Sequence, residues 1–387
     1  MPAAPGAVAP AGADAFAARV RDAAARRAAL VPRGSGQWWA EPAPGVEPLE
    51  LSALDAVSDF NPADLVVTAG AGVPLGRLAE RLAARGAWLP FDPPGPASRT
   101  VGGALASGGG GPLAAHYGPA RDHVLGLVVV AGDGTVVRLG GRVVKNVAGF
   151  DLAKLVIGGH GAFGVIVEAH LRLRARPAAD RTWVWRGAAS RVQRAGAAAL
   201  ATASSPAALE VVNPDLALRL GWADGDAWAL AARAVGSAAG VEEELEAVAR
   251  ATGARPALAL EGEAPWLPWR LAVGEWPAVL RLGAEPSGWT EAADLAAARV
   301  GPPCGVSVTV PRGTVRIGVA DVTAEAVRRL RDDAAARGWP VTLERAAPAL
   351  RAAVGVWGAL PPTVERLTRA ARACFDPPAT FAVPLLA

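Results

Sequence analysis

The chain has 387 residues, 52% hydrophobic and 19% charged, which is long for one compact core and fits two domains of ~100–200 residues each. Its 45 glycines and 33 prolines follow no Gly-X-Y period, which excludes collagen and leaves a loop-rich globular protein. The 39 basic residues, all arginine except Lys145 and Lys154, barely exceed the 36 acidic ones and form no dense block, so they read as a solvated surface and not as a nucleic-acid footprint.

Cys304 and Cys374 are too few for a disulfide framework or for an iron–sulfur cluster, which takes about four thiolates. A reduced cytoplasmic compartment is expected. The first ten residues lack the basic and apolar regions of an export signal, and no window of ~18 uncharged apolar residues suggests a membrane span.

Residues 1–13 are alanine, proline and glycine without periodicity, a leader expected to be disordered. With Asp14 as N-cap, Phe16, Val20 and Ala24 share one face of a helix running to Leu30. Residues 31–38 then read as a short strand entering a glycine loop. Stretches 49–54 and 65–69 read as strands, and Leu75, Leu78, Ala79 and Leu82 as a helix stopped by Gly86. A loop over 90–100 leads into the glycine-rich stretch 101–108. Strands 124–131 and 135–139 flank the hairpin signal Gly132-Asp133-Gly134. An alternating apolar strand over 161–173 ends the first half, and the polar stretch 174–180 reads as an interdomain hinge with the join near Arg176.

The second half repeats itself. Strand 182–185, helix 192–203, strands 209–212 and 227–233, helix 241–252 and strand 256–260 spell βαββαβ; the order recurs at 278–282, 291–300, 306–310, 315–319, 324–337 and 340–343. Two ferredoxin-like units sharing one antiparallel sheet of eight strands are expected, giving an α+β class. Between them, Trp266 to Leu271 reads as an irregular aromatic link. Ten of the 13 tryptophans follow residue 180, a spread that favours packing within this half and subunit contact over one aromatic cage.

Four glycine-rich segments lie in the first 164 residues: 33–37, 100–111, the Tyr117-Gly118 pair and 158–166. Glycine lets backbone N–H groups approach a ligand and form anion nests, for which a diphosphate is a natural occupant. None matches a P-loop or a spaced G-x-G-x-x-G. Each alone reads equally as a turn; together they point to a dinucleotide.

Pro32 to Gly36, Thr100 to Gly103, Tyr117-Gly118 with Arg121-Asp122, Lys145 to Leu152 and Gly161 to Ile166 follow one another in an order that resembles FAD-linked oxidases of the vanillyl-alcohol-oxidase, or PCMH, type. The Lys145-Asn146-Val147-Ala148-Gly149 run and the short second half with Trp269-Arg270-Leu271 are similar to the small FAD-binding subunit of bacterial glycolate oxidase. The resemblance implies a leader (1–13), a two-part PCMH-type FAD-binding domain (14–176, its first piece ending near Pro62), and a cap domain with a C-terminal tail (177–387). It implies that Arg33, Gly34, Ser35, Gly36 and Gln37 hold the FAD diphosphate, that Thr100, Val101, Gly102, Gly103, Ser107 and Gly108 close over it, and that Gly164, Val165 and Ile166 lie at the ribose and adenine end. Gly161, Tyr117, Gly118, Lys145 and Gly149 complete the implied set. Gln37 and Trp38 stand where many members carry a flavin-linking histidine, so noncovalent FAD is implied. Phe150 replaces a usual tyrosine, and Ala382-Val383-Pro384 replaces the usual Asn-Pro-Gly-Arg ending, which puts the tail's contacts in question.

Oxidising a 2-hydroxy acid by hydride transfer to a flavin calls for a base near the hydroxyl and an arginine for the carboxylate. The histidines are His116, His123, His160 and His170. His170, in an alternating strand, reads as structural, whereas His116 and His160 sit in glycine loops and are the candidate bases; no histidine pair in the second half offers a metal site. Arg270, directly after Trp269 and four residues after Trp266, is the candidate carboxylate anchor, with simple packing on tryptophan as the alternative. The leading expectation is a noncovalent FAD-binding subunit of a heteromeric glycolate oxidase, working beside a homologous catalytic FAD subunit and an iron–sulfur subunit. A stand-alone D-lactate-type 2-hydroxy-acid dehydrogenase and a structural subunit that has lost its flavin are the alternatives. Location at the inner face of the cytoplasmic membrane would come only through partners.

Overall fold

A computed structural model describes residues 12–36, 45–142, 151–202, 204–301 and 305–383. Helix Ala13–Arg26 buries Ala13, Ala17, Val20 and Ala23 along one stripe, with Gly12 rather than Asp14 as its N-cap; Asp14 instead occupies the first turn, where a carboxylate favours the positive helix end. The helix stops at Arg26, before Leu30, because Arg27 turns left-handed (φ 54°). Strands β1 (Ala29–Arg33) and β2 (Val46–Glu50) then pair in parallel.

A five-stranded antiparallel sheet follows, built from β3 (Val57–Asn61), β4 (Val66–Gly70), β6 (Val124–Val130), β7 (Val136–Gly140) and β8 (Val165–Arg172) in the order β3-β4-β8-β6-β7. Because β3 already belongs to it, the first piece of this half ends between β2 and β3, earlier than Pro62. Helix Leu75–Ala83 keeps Leu75, Leu78 and Leu82 in the core, as their spacing predicts. The expected hinge carries ordered backbone: β9 (Arg174–Ala175) pairs with β5 (Ala87–Trp88), and β10 starts at Ala179.

The second sheet contains β10 (Ala179–Gly187), β11 (Ala208–Val212), β12 (Trp228–Gly236), β13 (Leu258–Glu261), β14 (Ala278–Gly283), β15 (Gly305–Thr309), β16 (Thr314–Val319) and β17 (Val341–Arg345). Its order, β13-β10-β12-β11-β15-β16-β14-β17, is two βαββαβ units joined edge to edge through β11 and β15. Helices Ala189–Leu200, Ala238–Thr252, Trp289–Val300 and Ala324–Ala335 cover one face. On the other, Trp222, Trp266, Trp269 and Trp276 pack against Val184, Ala208, Val212 and Val279. Residues 266–271 are therefore not an irregular link; they begin helix Leu267–Glu275, whose Pro268 sits in the first turn, where its missing N–H costs nothing.

At the seam Glu210 is fully buried. Its Oε1 accepts from the Ser307 hydroxyl, whose oxygen accepts from Trp269 Nε1 at 2.8 Å. Burial pushes its carboxyl up to about 7, against the opposing pull of the Ser307 and Thr309 hydroxyls.

After helices Pro348–Val354 and Pro362–Phe375 the chain returns to the first core. Leu30 N–H donates to Thr380 O (2.7 Å) and Ala382 N–H to Leu30 O (2.9 Å), running the tail alongside β1. The buried Asp376 carboxylate accepts from Thr380 N–H (2.7 Å) and Phe381 N–H (2.9 Å), and Phe381 is completely buried.

Two outcomes follow. Asp376→Ala, which strands two buried N–H groups, should lower the unfolding free energy by about 3 kcal/mol in chemical denaturation. Folded Glu210 keeps a proton that the unfolded chain releases near its ordinary value of 4.5, so stability falls as pH rises from there through about 7. Glu210→Gln should therefore be more stable than the parent at pH 8 and indistinguishable from it below about pH 4 in the same measurement.

Candidate functional site

Three glycine-rich segments converge on one cleft enclosing about 640 Å³, counting space open to solvent. Arg33, Gly34, Ser35 and Gly36 form one wall where β1 ends. Gly102, Gly103, Ala106 and Ser107 of helix Val101–Ser107 form the second. Gly161 and Gly164, with Val165 and Ile166 at the start of β8, form the third, and Pro32, Leu51, Arg99 and His160 complete the lining.

Close approach explains the residue types. A Cβ on Gly34 would lie 2.2 Å from Thr100 Oγ1, and that oxygen caps the helix by accepting from Gly103 N–H at 3.2 Å. Gly164 turns with φ 101°, and a Cβ there would stand 2.5 Å from Val129 Cγ1. Residues 101–107, read as a loop from their glycines, are thus helical: the Thr100 cap and burial of Val101, Gly102, Ala104 and Leu105 outweigh the poor helix propensity of glycine.

None of the described lining residues is acidic. Arg33 reaches Glu50 at 3.4 Å and is one-third exposed. Arg99, absent from the sequence-level candidates, is buried and donates to Pro94 O and to Ser107 Oγ (2.6 Å). Burial, with Arg270 and Arg316 nearby, lowers it to about 10, so it stays charged at neutral pH. Its position directly before Thr100 was the available signal. Arg99 also lines a neighbouring opening with Pro94, Gly109, Gly274, Glu344 and Arg345.

His160 lines the cleft at a left-handed φ of 52°, and its backbone N–H donates to Ala106 O (2.8 Å). Burial, reinforced by Arg351, pushes its imidazole down to about 3. It is neutral at physiological pH, too weakly basic to retain an abstracted proton. His116 is exposed, away from the cleft, with Nδ1 2.9 Å from Ser205 O. Arg270 also lies elsewhere: it sits on the helix from Leu267, with Nε 3.3 Å from Pro93 O, and faces a separate cavity with Arg233, Asp180 and Phe91. Trp266 and Trp269 do not flank it at the surface, because both are buried in the sheet packing.

Thr100 and Val101 cap and anchor the helix, Gly108 ends it (φ 62°), and none of the three lines the cleft. Tyr117 packs on Trp88 and beneath Arg174, and Gly118 turns beside Asp122; both are outside the lining. Gln37, Lys145, Gly149 and Phe150 lie outside the described residues.

The cleft suits a dianionic diphosphate: its walls are mostly backbone, its charged lining residues are Arg33 and Arg99, and Arg99 makes no ion pair with a carboxylate among the described residues. No group of three or more potential metal ligands occurs among the described residues, and none of their helices is long and apolar enough to cross a membrane.

Comparison with known proteins agrees with this geometry. Residues 4–140 match the FAD binding domain family. The chain is 35% identical over 165 residues to glycolate oxidase subunit GlcE of Escherichia coli, covering 42% of this chain and 47% of that one. It is 32% identical over 159 residues to glycolate oxidase subunit GlcD of Bacillus subtilis, covering 40% and 34%. A D-2-hydroxyglutarate dehydrogenase of Xanthomonas citri is 37% identical over 161 residues, covering 41% and 34%. These matches span less than half the length of each relative. Among solved structures, an alkyldihydroxyacetonephosphate synthase superposes on 94% of this chain and 73% of its own with a TM-score of 0.65 at 15% identity, a likeness of fold.

His160 should show no imidazole titration between about pH 5 and 8 in NMR spectra assigned with His160→Gln; a midpoint near the ordinary 6.5 would contradict the burial argument.

Proposed function

We propose that this chain, an FAD-linked oxidase of the PCMH type by its fold and its FAD binding domain, works as the noncovalent FAD-binding subunit of a heteromeric glycolate oxidase or dehydrogenase. The observation that carries this reading is the acid-free, glycine-walled cleft with Arg33 and the buried Arg99. The similarity to two proteins named as glycolate oxidase subunits supports the rest.

In this reading the segments at Arg33–Gly36, Gly102–Ser107 and Gly161–Ile166 hold the cofactor, and Arg99 and Arg33 balance its diphosphate. Bound FAD would supply a two-electron acceptor for the hydride leaving the hydroxyl-bearing carbon of a 2-hydroxy acid. Arg270 faces another cavity and does not meet a substrate held beside this cleft. His160 remains neutral and shapes the wall. The partners in this reading are a homologous catalytic FAD subunit and an iron–sulfur subunit that would accept the electrons, in the cytoplasm or at the inner membrane face through those partners. Noncovalent attachment is supported by a described lining that holds no cysteine or tyrosine and whose one histidine is buried near Trp357.

A stand-alone dehydrogenase is the second reading, favoured by the similarity to D-2-hydroxyglutarate dehydrogenase and to a D-lactate dehydrogenase of Archaeoglobus fulgidus, 40% identical over 109 residues.

Affinity purification of the full chain from its native host, with flavin and iron counted, tests both. Stoichiometric flavin released by acid precipitation, together with iron in the same complex, is expected. A colourless preparation would overturn FAD binding, and flavin retained in the acid pellet would overturn noncovalent attachment. An iron-free single chain whose flavin bleaches with glycolate or D-lactate without oxygen would leave the second reading.

A further inference from the structure

The wall helix ends in four consecutive glycines, Gly108 to Gly111, before the chain turns into the short helix Ala114–Tyr117. Such a run has no side chains to pack and a large conformational entropy to lose, so contacts to its backbone must order it. Gly108 abuts the backbone of Gly158, and Gly111 abuts Asp92, whose Oδ2 accepts from Leu113 N–H at 3.2 Å. Local backbone bonds hold the ends, with Gly108 N–H donating to Leu105 O and Ala114 N–H to Gly111 O, and the second sheet supplies a side-chain bond to the middle: Arg316 Nη2 donates to Gly110 O at 2.6 Å.

Arg316 is built for this contact. It lies on β16, is 3% exposed, and stands opposite Arg281 of β14. The two guanidiniums would repel, but Glu344 of β17 lies between them, accepting from Arg281 Nε at 2.7 Å and from Arg316 Nε at 2.9 Å. Burial alone would raise the Glu344 carboxyl; Arg316 and Arg281 instead hold it down at about 2. Thr342 takes a further bond from Arg281 (3.1 Å). Arg316 is thus fixed at Nε by an ionised carboxylate and presents Nη2 to the glycine run. Downstream, Arg312 approaches Ala114 O at 3.3 Å.

We propose that Arg316, braced by Glu344, is a positioning residue that clamps the Gly110 carbonyl, orders the tetraglycine exit of the cleft helix and so couples the second sheet to the cofactor cleft. The coupling to cofactor rests on the FAD reading above; the ordering of the glycine run does not. Lysine would not reproduce it, since one ammonium lacks the planar fork that spans Glu344 and Gly110 together.

The test compares Arg316→Met, Arg316→Lys and Glu344→Gln in the full chain. In Arg316→Met, Glu344 keeps Arg281, so no buried carboxylate is orphaned. Hydrogen exchange of the cofactor-free protein should accelerate about tenfold at the amides of 113–117, which bond to Asp92 and within the short helix, and remain unchanged in β8 and in helix Ala189–Leu200. FAD affinity, followed by flavin fluorescence, should weaken about tenfold in Arg316→Met. Glu344→Gln and Arg316→Lys should fall between it and the parent. Unchanged exchange at 113–117, or an equal acceleration everywhere, would overturn the clamp. If Arg316→Met does not fold, Arg316→Lys carries both measurements against the same two criteria. A parent protein with no affinity for FAD would overturn the cofactor reading, while the exchange data would still decide the ordering role.

Discussion

Walls made of glycine have nothing of their own with which to hold position. Each segment around the cleft is accordingly fixed from outside: Gly34 by the Thr100 side chain, Gly102 by Ala71, Gly164 by Val129, and the run after the helix by Gly158, Asp92 and Arg316. The exposed backbone that suits a diphosphate and the dense packing behind it are two sides of one arrangement. A side chain at Gly34 would enter the very oxygen that caps the wall helix, so the loop after β1 and that helix cannot vary independently.

The same constraint explains the chain path. The second sheet leaves the first half at β10, and the tail returns to lie beside β1, with Phe381 and Val383 in the first core. Inserted between two anchored ends, the eight-stranded sheet is held over the segments at 93–99 and 109–114. Helix Leu267–Glu275, packed on that sheet, touches them through main chain: Gly95 N–H donates to Arg270 O at 2.8 Å, and Gly274 packs on Gly95 so closely that a Cβ would fall 2.6 Å away. The halves meet as interlocked backbones on either side of the cleft helix, which gives the second half leverage on the site.

Local patterns made the second half legible. Each βαββαβ unit declares itself through strands of alternating or wholly apolar residues and helices of period 3.6, and every expected strand and helix of both units exists, with ends displaced by a few residues. The glycine segments were legible as a cluster too, since their convergence needs no side-chain information. What could not be read is non-local. Glycine at 102 and 103 signals a loop until the Thr100 cap and the Ala71 contact are seen. Tryptophan and proline at 266–269 look irregular until the sheet face that buries Trp266 and Trp269 is present. Arg270 seemed poised for a substrate because it follows two tryptophans closely in sequence, yet helical geometry sends their rings into the core and its guanidinium to Pro93. His160 looked like a loop base, and only its burial, with arginines nearby, shows that it stays neutral and does not take up a second proton.

Arginine's near-monopoly among the basic residues first reads as compositional bias, but the fold uses its geometry. Arg316 bridges a carboxylate and a carbonyl on different elements. Arg233 grips Asp180 in a two-pronged pair at 2.9 and 2.6 Å, next to the junction of the halves. Arg331 donates to three successive carbonyls, Val354, Gly355 and Val356, and so fixes the chain ahead of the returning tail. Each task needs several donors in one rigid plane, which an ammonium group does not offer. Burying so many guanidiniums also carries an electrostatic consequence. Around the cleft, Glu344 forms ion pairs with Arg281 and Arg316 and acts on Arg99 only from a distance, while the hydrogen bonds of Arg99 among the described residues go to a carbonyl and a hydroxyl. A buried cation with no carboxylate in direct contact is an unfinished interaction. The walls beside Arg99 are the part of the molecule where an anion would complete it, so the bias in composition and the choice of ligand meet at the same residue.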